Sequence, residues 1–489
     1  MIINTLLTLI SNSFKSKVFS NSFWGVFSNI LQNILYSIFF VVLARKYATI
    51  DFSNYIIANT LYGFVLAFSS LGLGQWFIRE LMNTTDKQVL INQFFKIQLV
   101  AGVFFYFVNI LLSFSLYENI VIRKLSILIG INIIFDNIIY VIKFVNIATY
   151  EQKRTFLILT IEAIFKFLAA CLLFIYQLPI LYLAFVLICF RFITLNLFLR
   201  LGNVYLVNLR QILKIKVKLE EIKSIVLSNW SFIVIGSVAV IYWKIGNIIV
   251  SKLLTINDVA NFEISFKLFS IVQILPVIVS TSIFPVLIRL AGEDMGKFTK
   301  YYKKVFFIYA LYGVMAYTFI FSYADSFVPF IFGEKFTSTS IYSKQMFLTM
   351  LVFPTALLQA NVLIAIKQEK IDMWLNITSL IANCIFSFAG LYFYKSLTII
   401  NFSIFISFLL FHIIQDIYLV KLKIISFMHV FLYFFFVVIS VSAFRLLFTL
   451  WDSSLLFVLF WIICLGLLGT IYYNTSIRNT NYKEPLINI

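Results

Sequence analysis

Charge is scarce in this chain. Only 12% of its 489 residues are Asp, Glu, Lys or Arg, against roughly 25% in soluble domains. Histidine occurs twice, as His412 and His429, and neither has a ligand set around it in the sequence. Four cysteines (Cys171, Cys189, Cys384, Cys464) lie in apolar runs without a C-x-x-C pair, so they read as small core residues. There is no H-E-x-x-H and no G-x-S-x-G. "GEDMGKFT" (Gly292 to Thr299) is too short between its glycines for a phosphate loop and lacks Ser or Thr directly after the Lys. These absences argue against ATP hydrolysis, zinc catalysis and serine-hydrolase chemistry. No catalytic residue, metal ligand or cofactor is assigned.

What is present is apolar surface. Hydrophobic residues make up 62% of the chain, 58 residues are Phe, and the mean hydropathy is +1.00. No soluble fold hides that much apolar surface without large exposed patches. The chain is all-α and polytopic. A bilayer core needs about 20 apolar residues per helix, and fourteen segments meet that test: 23–44, 54–76, 92–116, 125–147, 155–176, 180–200, 225–250, 259–288, 304–323, 341–366, 373–394, 398–420, 428–449 and 455–473. The N-terminal "MIINTLLTLISNSFKSK" lacks a basic leader and a cleavage site, and reads as an interfacial segment. No gap between spans holds a folded domain.

Lys and Arg orient the spans. With the N-terminus inside, 23 of the 38 fall on cytoplasmic segments, 7 on external ones and 8 within spans. An even span count returns the C-terminus to the cytoplasm. The net charge of +18 is then a topology signal that meets anionic lipid headgroups, not nucleic acid.

The chain also repeats. "TIDFSNYIIANTLYGFV" follows the first span and "TINDVANFEISFKLFSIV" the seventh, aligning Asp51 with Asp258, Asn54 with Asn261 and Tyr55 with Phe262. Upstream, Ser20-Asn21 matches Ser228-Asn229. Six intervening spans give both copies the same orientation, hence a parallel repeat with its site between the lobes. The expected division is a first lobe at 1–200, a basic linker at 201–224, a second lobe at 225–420, and two added helices with a tail at 421–489.

Charge inside a span is costly, about 2.5–3.5 kcal/mol on insertion scales. Lys96, Lys143, Asp416 and Arg445 sit near helix ends, where they are expected to snorkel. Lys344 is nearly in a loop. Deeper are Asp136, Glu162, Lys166, Arg191, Lys244 and Lys267, with Glu263 shallower. Glu162–Lys166 and Glu263–Lys267 have the i,i+4 order of intrahelical ion pairs, whereas Arg191 and Lys244 have no in-helix partner. The set points to a hydrated cavity with excess positive charge. Lys267, Arg191, Lys244 and Lys166 are the candidate anion contacts. Asp136, Glu162 and Glu263 balance the charge or exchange protons or sodium. Asn29, Gln32, Asn33, Asn59 and Asn376 are either sugar contacts or interhelical glue. Pro276 and Pro285 are placed to bend the eighth span.

"LARKYATIDFSNY", "IRELMNTTDK", "ATYEQKRTFLILTIEAIFKF" and "FGEKFTSTSIYSKQMFLTML" resemble the corresponding stretches of the polysaccharide (Wzx-like) flippases of the multidrug/oligosaccharidyl-lipid/polysaccharide exporter superfamily. The first external loop departs from the family pattern in lacking Gly. The resemblance implies a non-enzymatic protein of the bacterial inner membrane. It would move undecaprenyl-diphosphate-linked oligosaccharides, such as O-antigen or capsule units, to the periplasmic leaflet by alternating access, alongside other polysaccharide assembly proteins. It also implies basic cavity residues meeting the diphosphate, and last helices that help form a groove for the lipid tail. A multidrug antiporter, a peptidoglycan-precursor flippase and a membrane polymerase are the competing readings.

Overall fold

The computed structural model describes residues 17–202, 219–228, 230–451, 453 and 455–466. The N-terminal interfacial segment, most of the basic linker, Asn229 and the chain from 467 onward lie outside the described residues.

The first lobe contains α1 (Lys17–Lys46), α2 (Thr49–Ser69), α3 (Gly74–Asn83), α4 (Lys87–Leu116), α5 (Ile120–Gly130), α6 (Asn132–Ala148), α7 (Gln152–Ile175) and α8 (Ile180–Leu201). After α9 (Leu219–Ser228), the second contains α10 (Trp230–Leu253), α11 (Ile256–Glu293), α12 (Met295–Phe332), α13 (Thr339–Met346), α14 (Phe353–Ala365), α15 (Glu369–Phe393) and α16 (Leu397–Lys421). Then come α17 (Phe427–Leu450) and the short apolar α18 (Leu455–Gly466). Among the described residues, eleven helical segments are long and apolar enough to cross a membrane. The 21-residue α2 and the 24-residue α10 lie where the second and seventh spans were expected. Outward-facing side chains identify the solvent: α17 buries Tyr433, Val437 and Phe444 and exposes Phe431, Leu432, Phe435 and Val438. Such a face is stable against lipid and not against water.

Three expected spans are interrupted, each for a local reason. The second ends at Ser69, and the turn at Leu71 and Gly72 has positive φ (53° and 57°) before α3 begins. The fourth breaks at Gly130, where a Cβ would come within 2.5 Å of Asn109 Nδ2. The tenth passes through a 3-10 turn at Phe347–Leu351. There α12 approaches so closely that a Cβ on Gly313 would fall 2.5 Å from the Met350 carbonyl oxygen. α11, in contrast, runs unbroken through Pro276 and Pro285. Proline has no N–H to give the carbonyl four residues earlier, and the Tyr312 hydroxyl donates to that Val272 oxygen instead, at 2.6 Å. "GEDMGKFT" is a helix junction: the Asp294 carboxylate accepts from the Gly296 and Lys297 amides (2.8 and 3.1 Å) and caps α12. Those two amide bonds hold its carboxyl below the usual range.

The repeat is visible in the packing. The Asn54 side chain accepts from Asn119, at the start of α5 (3.5 Å). Its counterpart Asn261 accepts from Thr339, at the start of α13 (2.6 Å). Each aligned Asn thus ties the second helix of its lobe to the fourth.

Between the lobes, α2 packs on α10 and α11, and α1 on α12. Cross-lobe bonds gather at the end of the bundle where α1 finishes. Arg45 donates to the carbonyls of Ile331 (2.5 Å) and Phe330 at the last turn of α12. Lys335 returns to the carbonyls of Tyr47 (2.5 Å) and Arg45 (3.5 Å), and Lys252 donates to the Leu116 carbonyl ending α4. The final carbonyls of a helix lack intrahelical donors and carry the negative end of its dipole, so each cation satisfies a terminus in the opposite lobe. Ser53 Oγ to the Ile256 carbonyl (2.8 Å) and Tyr117 to Ser251 (2.7 Å) complete the clasp. Replacing Arg45 and Lys335 together with Ala is expected to lengthen the spin-label distance between Gln177 and Glu334, across this end. An unchanged distance distribution would show that the clasp does not hold the lobes.

Candidate functional site

Mid-bundle, a cavity of about 470 Å³ is lined by residues of α1, α2, α5 to α8 and α11. The α2 contribution is one helical face, Tyr55, Asn59 and Tyr62, at i, i+4 and i+7. Glu162, Lys166 and Arg191 enter from α7 and α8, and Glu263 and Lys267 close the cavity from the second lobe.

The first-lobe charges form one network. Lys166 Nζ lies 2.8 Å from Glu162 Oε1, the intrahelical pair expected from spacing. Arg191 Nη1 contacts the other Glu162 oxygen. Arg191 Nε donates to Asp136 Oδ1 at 2.7 Å, and the Tyr62 hydroxyl donates to Asp136 Oδ2. All four carboxylate oxygens are therefore occupied, and two positive charges meet two negative ones. Both carboxylates are buried, Glu162 at 1% exposure and Asp136 at 8%. Burying one charge alone costs several kcal/mol, about what a partner with good geometry restores. Lys166 also lies over the Tyr36 ring, 4.8 Å from its centroid.

This changes the expectation for Arg191 and Asp136, neither of which had a partner within hydrogen-bonding reach on its own helix. They are partners of each other across α6 and α8. The first-lobe wall is neutral, not cationic. The second lobe adds Glu263 and Lys267, one charge of each sign. Glu263 and Lys267 do not form the expected ion pair: Glu263 accepts from the Asn247 amide, and Lys267 Nζ lies over the Phe40 ring at 5.7 Å. Among the described cavity-lining cations, Lys267 alone has no carboxylate within 4 Å. Lys244 is not in the cavity wall; it is half-buried in α10, its Cε 3.5 Å from where a Cβ on Gly63 would stand.

The polar candidates divide. Gln32 and Asn59 line the cavity, with Gln32 also donating to Thr160 Oγ1 (3.3 Å). Asn29 is exposed, and its carbonyl accepts from Asn33 within α1. Asn376 is bonded to Asp372 one turn back in α15. Asn29, Asn33 and Asn376 are not among the lining residues. Tyr62, which sequence reasoning missed, is signalled by the i, i+4, i+7 polar face of α2. Asp416 does not snorkel: it is 2% exposed, held by Gln359 and beside His412. Arg445 is exposed beside Phe321, and Lys344 pairs with Asp325 at 2.6 Å.

Two lobes of membrane-spanning helices around a central polar cavity, with most of their cross-lobe hydrogen bonds at one end and Ser237 to the Ala67 carbonyl at the other, define a membrane transporter fold. The chain belongs to the family described as polysaccharide biosynthesis protein, whose profile matches residues 42–341. Among solved structures it is similar to the lipid II flippase MurJ in an inward closed conformation. The TM-score is 0.68 at 12% identity, covering 94% of this chain and 99% of that one. It is also similar to an inward-facing multidrug resistance MATE family transporter of the MOP superfamily, with TM-score 0.65 and 12% identity over 81% and 96% of the two chains. Compared by sequence, no curated protein matches the chain.

Removing Arg191 alone leaves two buried carboxylates short of a partner. Arg191→Met is expected to cost roughly 3–5 kcal/mol, read as a lower melting temperature in detergent. Adding Asp136→Asn and Glu162→Gln to Arg191→Met is expected to recover part of that loss. A triple variant no more stable than Arg191→Met would refute the charge balance described here.

Proposed function

We propose that this protein is a flippase for polyprenyl-diphosphate-linked oligosaccharides, and that Lys267 is the main contact for the diphosphate. The observation that carries this reading is the contrast inside the cavity. Arg191 and Lys166 are engaged by carboxylates, whereas Lys267 presents an ammonium group to the cavity without one. A phosphate oxygen in a low-dielectric site receives a stronger, charge-assisted bond from such a group than in water. Lys244 adds positive charge nearby from the adjoining helix.

The family match to polysaccharide biosynthesis and the fold shared with a lipid II flippase support a lipid-linked substrate. Gln32, Asn59, Tyr36 and Tyr55 offer hydrogen bonds and ring faces to the first sugars. The cavity is the size of a headgroup site, within the roughly 300–1,000 Å³ usual for small-ligand pockets. The lipid tail remains in the bilayer. An apolar cleft between α12, α17 and α18, lined by Leu311, Phe436 and Trp461, is suited to an acyl or prenyl chain.

The distribution of Lys and Arg in the sequence supports an orientation with the clasped end toward the periplasm. The cavity then loads from the cytoplasmic side of a bacterial inner membrane, and opening the clasp releases the headgroup outward. A drug antiporter for cations would place acids open to the cavity; Glu263 lies in the wall without an ion pair but is engaged by the Asn247 amide, whereas Lys267 has no carboxylate within 4 Å. A peptidoglycan-precursor flippase has the same charge logic, and the family match favours polysaccharide over it.

In cells that depend on this protein for surface polysaccharide, Lys267→Glu at normal membrane abundance is expected to lower the polysaccharide at least about tenfold, the equivalent of about 1.4 kcal/mol. Lys267→Arg is expected to keep most of it. Undiminished polysaccharide in Lys267→Glu would overturn the assignment.

A further inference from the structure

The aspartate that the sequence repeats, Asp51 in the first lobe and Asp258 in the second, is used differently in each. Both stand three residues after the N-cap of the second helix of their lobe. In α11 the Asp258 carboxylate closes a capping box, accepting from the Thr255 amide at 3.0 Å and the Thr255 hydroxyl at 2.7 Å. In α2 the N-cap is Ala48, which has no hydroxyl to offer. Among the described residues the Asp51 carboxylate makes no hydrogen bond and no ion pair. The first lobe thus keeps the repeated carboxylate without consuming it.

Asp51 lines a cleft of about 330 Å³ between the α1–α2 junction and the α7–α8 junction. This cleft shares no lining residue with the central cavity. Asp51 nevertheless precedes Tyr55 by one turn, so it extends the α2 face of Tyr55, Asn59 and Tyr62 by about 6 Å toward the clasped end. A polar stripe on one helix therefore joins the cavity to the cleft.

The lining is suited to a sugar. Lys46 and Asp51 bring one charge of each sign without pairing with each other, and Lys46 lies over the Phe174 ring at 4.7 Å. Asp51 disfavours a bound anion and Lys46 a bound cation, whereas a neutral polyol meets neither cost. Its hydroxyls donate to the carboxylate and accept from the ammonium group and the Gln177 amide. Tyr176, 64% exposed, offers an aromatic face to the C–H side of a pyranose. Burial and the Asp51 carboxylate push the Tyr47 hydroxyl up to about 12, and it donates to the Leu178 carbonyl at 2.8 Å, tying the two junctions together. The Tyr47 carbonyl receives Lys335 in the clasp, so the cleft adjoins a contact between the lobes.

We propose that this cleft is an outer saccharide site, which takes a neutral sugar ring of the cargo as it leaves the central cavity along the polar face of α2. The identity of the cargo rests on the flippase reading; saccharide binding at the cleft does not.

The probe is the lipid-free oligosaccharide repeat unit released by mild acid from the surface polysaccharide of the cells that make this protein. Saturation-transfer difference NMR reads its binding to the full chain in phosphatidylethanolamine/phosphatidylglycerol nanodiscs. The unmutated chain should bind it, and Asp51→Asn should weaken binding about tenfold or more. Tyr176→Ser, at an exposed position, should weaken it severalfold, and it decides the matter if Asp51→Asn does not fold. An unmutated chain that ignores the probe at millimolar concentration would overturn the site. So would Asp51→Asn and Tyr176→Ser chains that bind it as the unmutated chain does. Binding weakened by Asn59→Leu and by neither cleft variant would place the sugar in the central cavity alone and overturn the outer site. The Lys267 assay separates the two readings. If it removes the diphosphate contact, Asp51-dependent binding still stands; if it upholds that contact while the probe ignores Asp51, the outer site alone falls.

Discussion

The constraint behind this structure is that a charge surrounded by oil must find its partner within the protein. Arg191 meets it by holding Asp136 and Glu162 at once, with Lys166 and Tyr62 filling the remaining carboxylate oxygens. That arrangement ties α2, α6, α7 and α8 together at mid-depth, where apolar packing alone gives little preference for one helix rotation over another. It gives the first lobe a polar centre with no net charge. The cavity beside it takes its character from what the network does not neutralise.

Lys267 is the result. It comes from the other lobe, on a helix that runs unbroken through Pro276, where Tyr312 donates to the freed Val272 carbonyl and Tyr309 to the Pro276 carbonyl. A cation on one lobe facing a neutral wall on the other gives an anionic headgroup an attraction that depends on how the lobes are placed. Under the proposed function, moving the lobes changes the strength of that contact. The clasp of Arg45, Lys335 and Lys252 follows the same logic at the bundle end, where unpaired helix carbonyls replace carboxylates as acceptors.

The second lobe handles buried charge differently. It has no Arg191 equivalent among the described residues around Asp416, and histidine fills that place. Around Asp416 the neighbours are the Gln359 amide, which donates to Oδ1, and the His412 ring one turn away on the same helix. The two lobes share an architecture, seen in the paired roles of Asn54 and Asn261, but differ in the partners that surround their buried carboxylates.

The all-helical polytopic architecture and the Glu162–Lys166 pair were legible in the sequence, because hydropathy and i,i+4 spacing are local properties of a helix; helix ends were not, and the helix at Met295–Phe332 runs nine residues past each end of the apolar stretch 304–323. The same spacing misled for Glu263 and Lys267, since an Asn on α10 competes for the carboxylate. It also left His412 and Asp416, likewise one turn apart, looking like isolated residues near a helix end. Which face of each helix turns inward is set by packing among helices distant in the chain. Only tertiary structure decided that Arg191 reaches Asp136, that Lys244 stays out of the cavity wall, and that Asp416 is buried. Composition determined the solvent; helix rotation and contact determined which charges were left free to act.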